Sequence, residues 1–265
     1  MKRYFFHVAY NGLHYHGWQR QASFRSVQQV IEDSLAKILR LPQVTILGCG
    51  RTDAGVHASQ YFFHVDVAAP LRQDLLFVLN KTLPADIAVY DIIPVQDNLH
   101  ARFSAQTRSY DYFINRTKDP FLKEQSAWYV AEELDLVAMQ AAVALLSQHQ
   151  DYAAFCRQPE LHNTTICRVS KASLWQADQG QRIRFHITAN RFLRGQIRIL
   201  VKKLLDIGLG KFSLAAFEEA LVTGNRPATI FPAHPQGLFL SKVVYEGLEL
   251  DNKSTLGGEG WELLK

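Results

Sequence analysis

The sequence predicts an α+β chain of two similar halves, each a mainly antiparallel sheet covered by helices on one face. Three observations carry that prediction. Runs of aromatic and β-branched residues alternate with segments of helical apolar periodicity. The order over residues 1–105 is β-α-β-β-α-β, and over 106–250 it is β-α-β-β-α-α-β, the pattern called ferredoxin-like. Prolines and glycines fall where elements have to end. Residues 251–265 contain two adjacent glycines and read as a flexible tail.

Taken in order, Arg3–Tyr10 is aromatic and β-branched, which makes it a strand. Ser26 followed by Gln29 is a capping-box signal. Val27, Val30, Ile31, Leu35, Ile38 and Leu39 then fall at helical spacing, so residues 27–40 form a helix that ends near Pro42. Val44–Cys49 and Gln60–Val67 are strands, Leu71–Leu83 is a helix stopped by Pro84, and Ile87–Val95 is a strand. In the second half Ser109–Asn115 is a strand and Leu134–Gln148 a helix. Cys167–Trp175 and Arg182–Ala189 are strands, Phe192–Gly208 and Leu214–Thr223 helices, and Leu238–Tyr245 the closing strand.

The 265 residues, 48% hydrophobic and 20% charged, suffice for a substantial core. No apolar run reaches the about 18 residues of a membrane span, and the N-terminal apolar stretch is too short and polar for a signal peptide. Three cysteines without paired or zinc-like spacing fit a reduced, cytoplasmic chain. A net charge of +4 and a pI near 8.9 are only mildly basic. The positions of the cations therefore matter more than their sum.

The stretch GCGRTDAGVHAS, residues 48–59, lies on a loop after an apolar run. Asp53 at its centre has two readings. It is a turn aspartate bonded to its own backbone, or a carboxylate presented to a ligand. In the second reading Arg51 keeps it ionised, and Gly50 and Gly55 let the main chain approach closely. A phosphate-cradling loop fits poorly, because Asp repels an anion and no Gly-Lys-Ser/Thr follows. In the helix from 192, Arg191, Arg194, Arg198 and Lys202 share one face with no acidic residue between them. Such a stripe is a solvated face, or it contacts phosphates or a carboxylate. On the strand from 109, Tyr112 reads as core, whereas Tyr110, near Arg102 and Arg108, suits stacking on a base. The Gly-rich loop YNGLHYHGWQRQ, residues 10–21, likewise mixes rings with polar and cationic groups, which suits RNA; a Trp packed under the loop is the alternative. His14, His16 and His57 lack partners at ligand spacing, so no metal site is expected.

Together these motifs are more specific than any one of them. GRTDAGVHA (50–58), YNGLHYHGWQRQ (10–21), HARFSA (100–105), Tyr110, NRFLRGQIR (190–198) and PQGLFL (235–240) resemble, in order and approximate spacing, the tRNA pseudouridine synthase A family. The likeness covers most of residues 1–247. It implies two ferredoxin-like halves joined in one continuous sheet with a central basic cleft. It also implies isomerisation of uridine to pseudouridine in the tRNA anticodon stem-loop, without cofactor or metal, by a homodimer. On the residues that match, it makes Asp53 the catalytic aspartate and Tyr110 the tyrosine that stacks on the target base. Arg198 becomes the arginine paired with the aspartate, and Arg51 helps hold the nucleotide out of the stack. Arg20, Arg25, Arg102, Arg108 and Arg194 are candidates for RNA contact. The chain departs from the family pattern at Asn11, where Asp is usual, at Arg194-Gly195-Gln196, and at Lys202, where a small residue is usual. An RNA-binding protein without turnover is the alternative, against which intact Asp53, Tyr110 and Arg198 argue.

Overall fold

The computed structural model of the chain describes residues 1–130, 133–248, 250, 253 and 260–264. It divides into two compact units. Met1–Arg108 and the segment starting at Phe239 form the first, and Ser109–Leu238 with the last residues forms the second.

The first unit opens with β1 (Lys2–Tyr10) and α1 (Val27–Leu39). Ser26 caps α1 by accepting the Gln29 N–H, and Arg40, in the left-handed region at φ 55°, ends it before Pro42. Val27, Ile31 and Leu35 form its buried stripe. β2 is only Leu47–Gly48, shorter than the predicted 44–49, whereas β3 (His57–Val67) starts earlier than predicted. α2 (Leu75–Thr82) starts later than predicted, after a turn in which Arg72 and Asp74 pair. β4 is Ile87–Val95. β1 lies between β3 and β4, antiparallel to both, with Phe6 opposite Phe63 and Ile92. β2 runs antiparallel along the other edge of β3. β3 is buried without interruption from His57 to Val65, as a strand covered on both faces must be.

The second unit starts on β5 (Ala105–Asn115), which is longer than predicted and carries the boundary. The two-residue β6 (Ala127–Trp128), which the sequence did not announce, pairs parallel with it. α3 (Leu136–Leu145) is capped by Asp135. β7 (Val169–Ala177) and β8 (Arg182–Ala189) make an antiparallel hairpin. α4 spans Gln196–Gly208 and α5 Leu214–Thr223. α4 is buried all round except at Arg198 and Lys202. The predicted start at Phe192 is too early. Gly195, in the left-handed region at φ 73°, is the N-cap, and the Gln196 side chain accepts the Leu193 N–H at 2.7 Å. Arg191 and Arg194 therefore precede the helix, and the four-cation stripe reduces to Arg198 and Lys202.

β9 (Leu238–Tyr245), expected in the C-terminal half, belongs from Phe239 onward to the first unit. There it pairs parallel with β3, His57 opposite Phe239. Part of the predicted tail is structured: β10 (Glu262–Leu263) adds antiparallel to β7, and Lys253 donates to Asp91 at 2.7 Å. Residues 251–252, 254–259 and 265 of that tail lie outside the described residues.

Candidate active site

Asp53 sits half-buried on the loop between β2 and β3. The turn that carries it is closed by its main chain, Val56 N–H to the Asp53 carbonyl at 3.2 Å. Gly55 supplies the positive φ of 74° that such a turn requires. The 10–21 loop clasps this turn. The Gly55 N–H donates to the Tyr15 carbonyl, and the Trp18 N–H to the Thr52 carbonyl. Thr52 and Tyr10 share a hydroxyl hydrogen bond of 2.9 Å. The approach is so close that a Cβ on Gly12 would lie 1.9 Å from the Val56 carbonyl oxygen, and one on Gly17 2.2 Å from that of Thr52. The rings of the 10–21 loop are core: Tyr10, Tyr15 and Trp18 are each at most 4% exposed. Trp18 stacks on Tyr61 at 4.0 Å, and Tyr61 donates to the Gly50 carbonyl at 2.6 Å. For Tyr10, Tyr15 and Trp18 the packed reading is thus the correct one.

His57, for which sequence reasoning found no role, anchors both segments. Its Nδ1 accepts the Gly12 N–H at 3.0 Å, and its ring stacks on Phe239 at 4.4 Å. His14 and His16 are exposed, so the three histidines serve separate ends.

The cations of the first unit differ in what holds them. Arg51 is exposed, and its Nε donates to Gln19 at 2.9 Å. Arg108 reaches back to the start of the loop and donates to the Cys49 carbonyl at 2.7 Å and to that of Arg102 at 2.8 Å. Arg20 is tied to α1 through Glu32 at 2.9 Å and Asp33 at 3.4 Å. Two carboxylates already meet its charge, which makes it a brace before it is an RNA contact. Arg25 lies over the Tyr15 ring at 5.2 Å, and Arg102 over Phe103 at 5.6 Å; both are exposed.

In the second unit Tyr110 is half-buried on β5, edge-on to Phe192 at 5.1 Å. Tyr112 is core as expected, donating to the His234 carbonyl at 2.8 Å. Arg198 stands in the first turn of α4. Its Nε donates to the Ala233 carbonyl at 2.7 Å, while the Ala233 N–H donates to the Arg198 carbonyl at 2.8 Å. This two-way clamp fixes the guanidinium. Arg194 is exposed and donates to Gln158 at 2.8 Å.

One part-buried network escaped the sequence reading. Asp111, next to Tyr110, accepts from Arg184 at 2.7 Å and lies 2.9 Å from His186 Nδ1. His186 continues to Thr188, and Thr188 to Ser109. Burial alone would raise the Asp111 carboxyl, but His186 and Arg184 outweigh it and hold it at about 2. The alternation of Arg184, His186 and Thr188 with apolar residues was the available signal.

A family model described as tRNA pseudouridine synthase matches residues 7–104 and 141–246. The chain belongs to that family. Similar relatives named tRNA pseudouridine synthase A include one from Azobacteroides pseudotrichonymphae, 42% identical over 248 residues, which cover 92% of this chain and 97% of the relative. One from Porphyromonas gingivalis is 38% identical over 250 residues, 92% and 98% of the two chains. One from Gloeobacter violaceus is 38% identical over 241 residues, 90% and 78%. As a tRNA pseudouridine synthase the chain is an isomerase that modifies RNA, and it takes part in tRNA processing. No helix among the described residues is long and apolar enough to cross a membrane.

Proposed function

We propose that this synthase isomerises uridines of the tRNA anticodon stem-loop, on the 3′ side, without cofactor or metal. Asp53 is the reacting carboxylate, Tyr110 stacks on the flipped uracil, and Arg198 pairs with Asp53. Arg51 holds the nucleotide, and Arg25, Arg102 and Arg194 meet the backbone phosphates. The observation that carries the reading is the build of the Asp53 turn. A half-buried carboxylate is held on a turn that main-chain bonds and two clasping glycines keep in one place, as a reacting group needs.

The reaction balances within the nucleotide. The bond from ribose C1′ to uracil N1 breaks, the ring turns, and C1′ bonds to C5. The C5 proton leaves and N1 ends protonated, so no oxidant or second substrate is required. We read each unit as a ferredoxin-like half; the order β4-β1-β3-β2 supports this for the first unit. We further propose a cytoplasmic homodimer, to which the three free cysteines are suited.

The test uses tRNA tritiated at uridine C5, incubated with the protein and a chelator. Tritium is released by the wild type, and Asp53→Asn abolishes release while tRNA binding persists. Binding without release from any tRNA by the wild type refutes the catalytic assignment, and loss of release with chelator refutes the metal-free mechanism.

A further inference from the structure

Lys203 is an ammonium that α4 buries: the residue is 3% exposed. Its Nζ lies 3.4 Å from Thr229 Oγ1 and 3.5 Å from one Asp206 carboxylate oxygen. Both polar contacts stand at the outer limit of hydrogen bonding. The Phe212 ring centroid is 4.6 Å away. The other Asp206 oxygen is taken by Lys202. These groups line a cavity of about 330 Å³, which Lys211 and Phe231 also border. That volume suits a small ligand, at the lower end of the roughly 300–1,000 Å³ typical of such sites.

The charge in this cavity does not balance. Three ammoniums face one carboxylate, and an ammonium withdrawn from water is costly unless well paired. Among the described residues Lys203 has two distant acceptors for its three protons. The surplus calls for an anion with several acceptor oxygens around one centre. A phosphate supplies them, and lysines bind phosphate as point charges with little demand on angle. Phe231, 70% exposed beside the lysines, offers a flat apolar face of the kind on which bases stack. Lys202 also lies one helical turn, about 5.4 Å, beyond Arg198 on the same face of α4.

We propose that this pocket is a nucleotide subsite for the substrate RNA: a backbone phosphate enters between Lys202, Lys203 and Lys211, and its nucleoside lies against Phe231. The choice of RNA as the source of the phosphate rests on the tRNA-modifying function. Asp206 is the positioning residue that holds Lys202 and Lys203 toward the phosphate.

Amine acetylation of the full chain, read by mass spectrometry, tests this directly. Unmodified tRNA slows labelling of Lys202 and Lys211 severalfold. Protection by inorganic phosphate but not by tRNA overturns the RNA assignment, and protection by neither overturns the subsite. In parallel, a K202Q/K211Q variant is titrated with tRNA at several salt concentrations. The slope of log affinity against log salt becomes shallower by about 0.7–0.9, the loss of one phosphate contact. Unchanged affinity and slope overturn the subsite. K203M, once its thermal unfolding shows it folded, has to shift the slope in the same sense. The outcomes separate from those of the catalytic assignment. Tritium release without lysine protection sinks the subsite alone, and protection without release sinks the catalytic reading alone.

Discussion

Gly12 and Gly17 show how much of the Asp53 turn's position depends on atoms that are missing. Each lets a main chain pass where a methyl group would overlap a carbonyl oxygen, and Gly17 also holds a φ of 83°. Gly12→Ala has no flexible neighbour to displace, because the blocking atom is backbone. It is expected to lower the unfolding midpoint by roughly 5 °C or more, and turnover further than the midpoint alone explains. Calorimetry and single-turnover tritium release measure the two effects. Arg198 poses a different question, since its Nε is committed to Ala233. Arg198→Ala is expected to lower kcat far more than tRNA affinity. A fall in affinity alone makes it a phosphate contact and removes it from the catalytic group.

At the scale of elements, two strand pairs carry buried titratable groups that make the fold sensitive to acid in separate ranges. On β3, burial pushes the His64 imidazole down to about 4, assisted by the charges of Arg3 and His100. The unfolded chain takes up that proton near pH 6.5, so the contribution of a neutral His64 is complete above 6.5 and lost as pH falls to about 4. On β5, Asp111 has its carboxyl held at about 2. Its contribution is complete above the ordinary carboxylate range and is lost between about pH 4 and 2. Urea midpoints measured from pH 7 to 2 are expected to fall in both ranges, with His64→Gln flattening the first and Asp111→Asn the second. If neither variant changes the profile, the burial argument fails. α4 illustrates the limit of periodicity at this scale. Its apolar spacing starts at Phe192, but the backbone enters the helix only after Gly195. A local side-chain bond from Gln196 decided the start, and no periodic pattern records such a bond.

For the molecule as a whole, local signals in the sequence revealed most elements, and long-range ones were the hardest to see. β4, β8 and α5 lie where composition and punctuation put them. β6 is two residues long and exists through its partner β5, so no local pattern announces it, and the same dependence on a partner cuts β2 to two residues of the predicted 44–49. The candidate site was legible as motifs around Asp53, Tyr110 and Arg198. The roles of His57 and Asp111 were not, because both depend on residues distant in sequence. β9 has the same character: its apolar run was evident, but its place beside β3 was not. A consequence follows for dissection. Residues 1–108 alone lack β9 and Phe239, the ring on which His57 stacks, and leave part of β3 as an open edge. That fragment is expected to melt without a cooperative transition, which circular dichroism on heating will show. A sharp melt like that of the full chain refutes it.

The clasp between the 10–21 loop and the Asp53 turn also bears on what lengths the two segments tolerate. Surface loops generally accept insertions because nothing records their length. Here the two are keyed to each other at Gly12–Val56, Tyr15–Gly55, Gly17–Thr52 and Trp18–Thr52. A residue added to either moves every later contact out of step. Length variation among related chains should therefore be sparse within these two stretches and collect outside them, and the pair behaves as one unit of inheritance although residues 22–51 separate its parts.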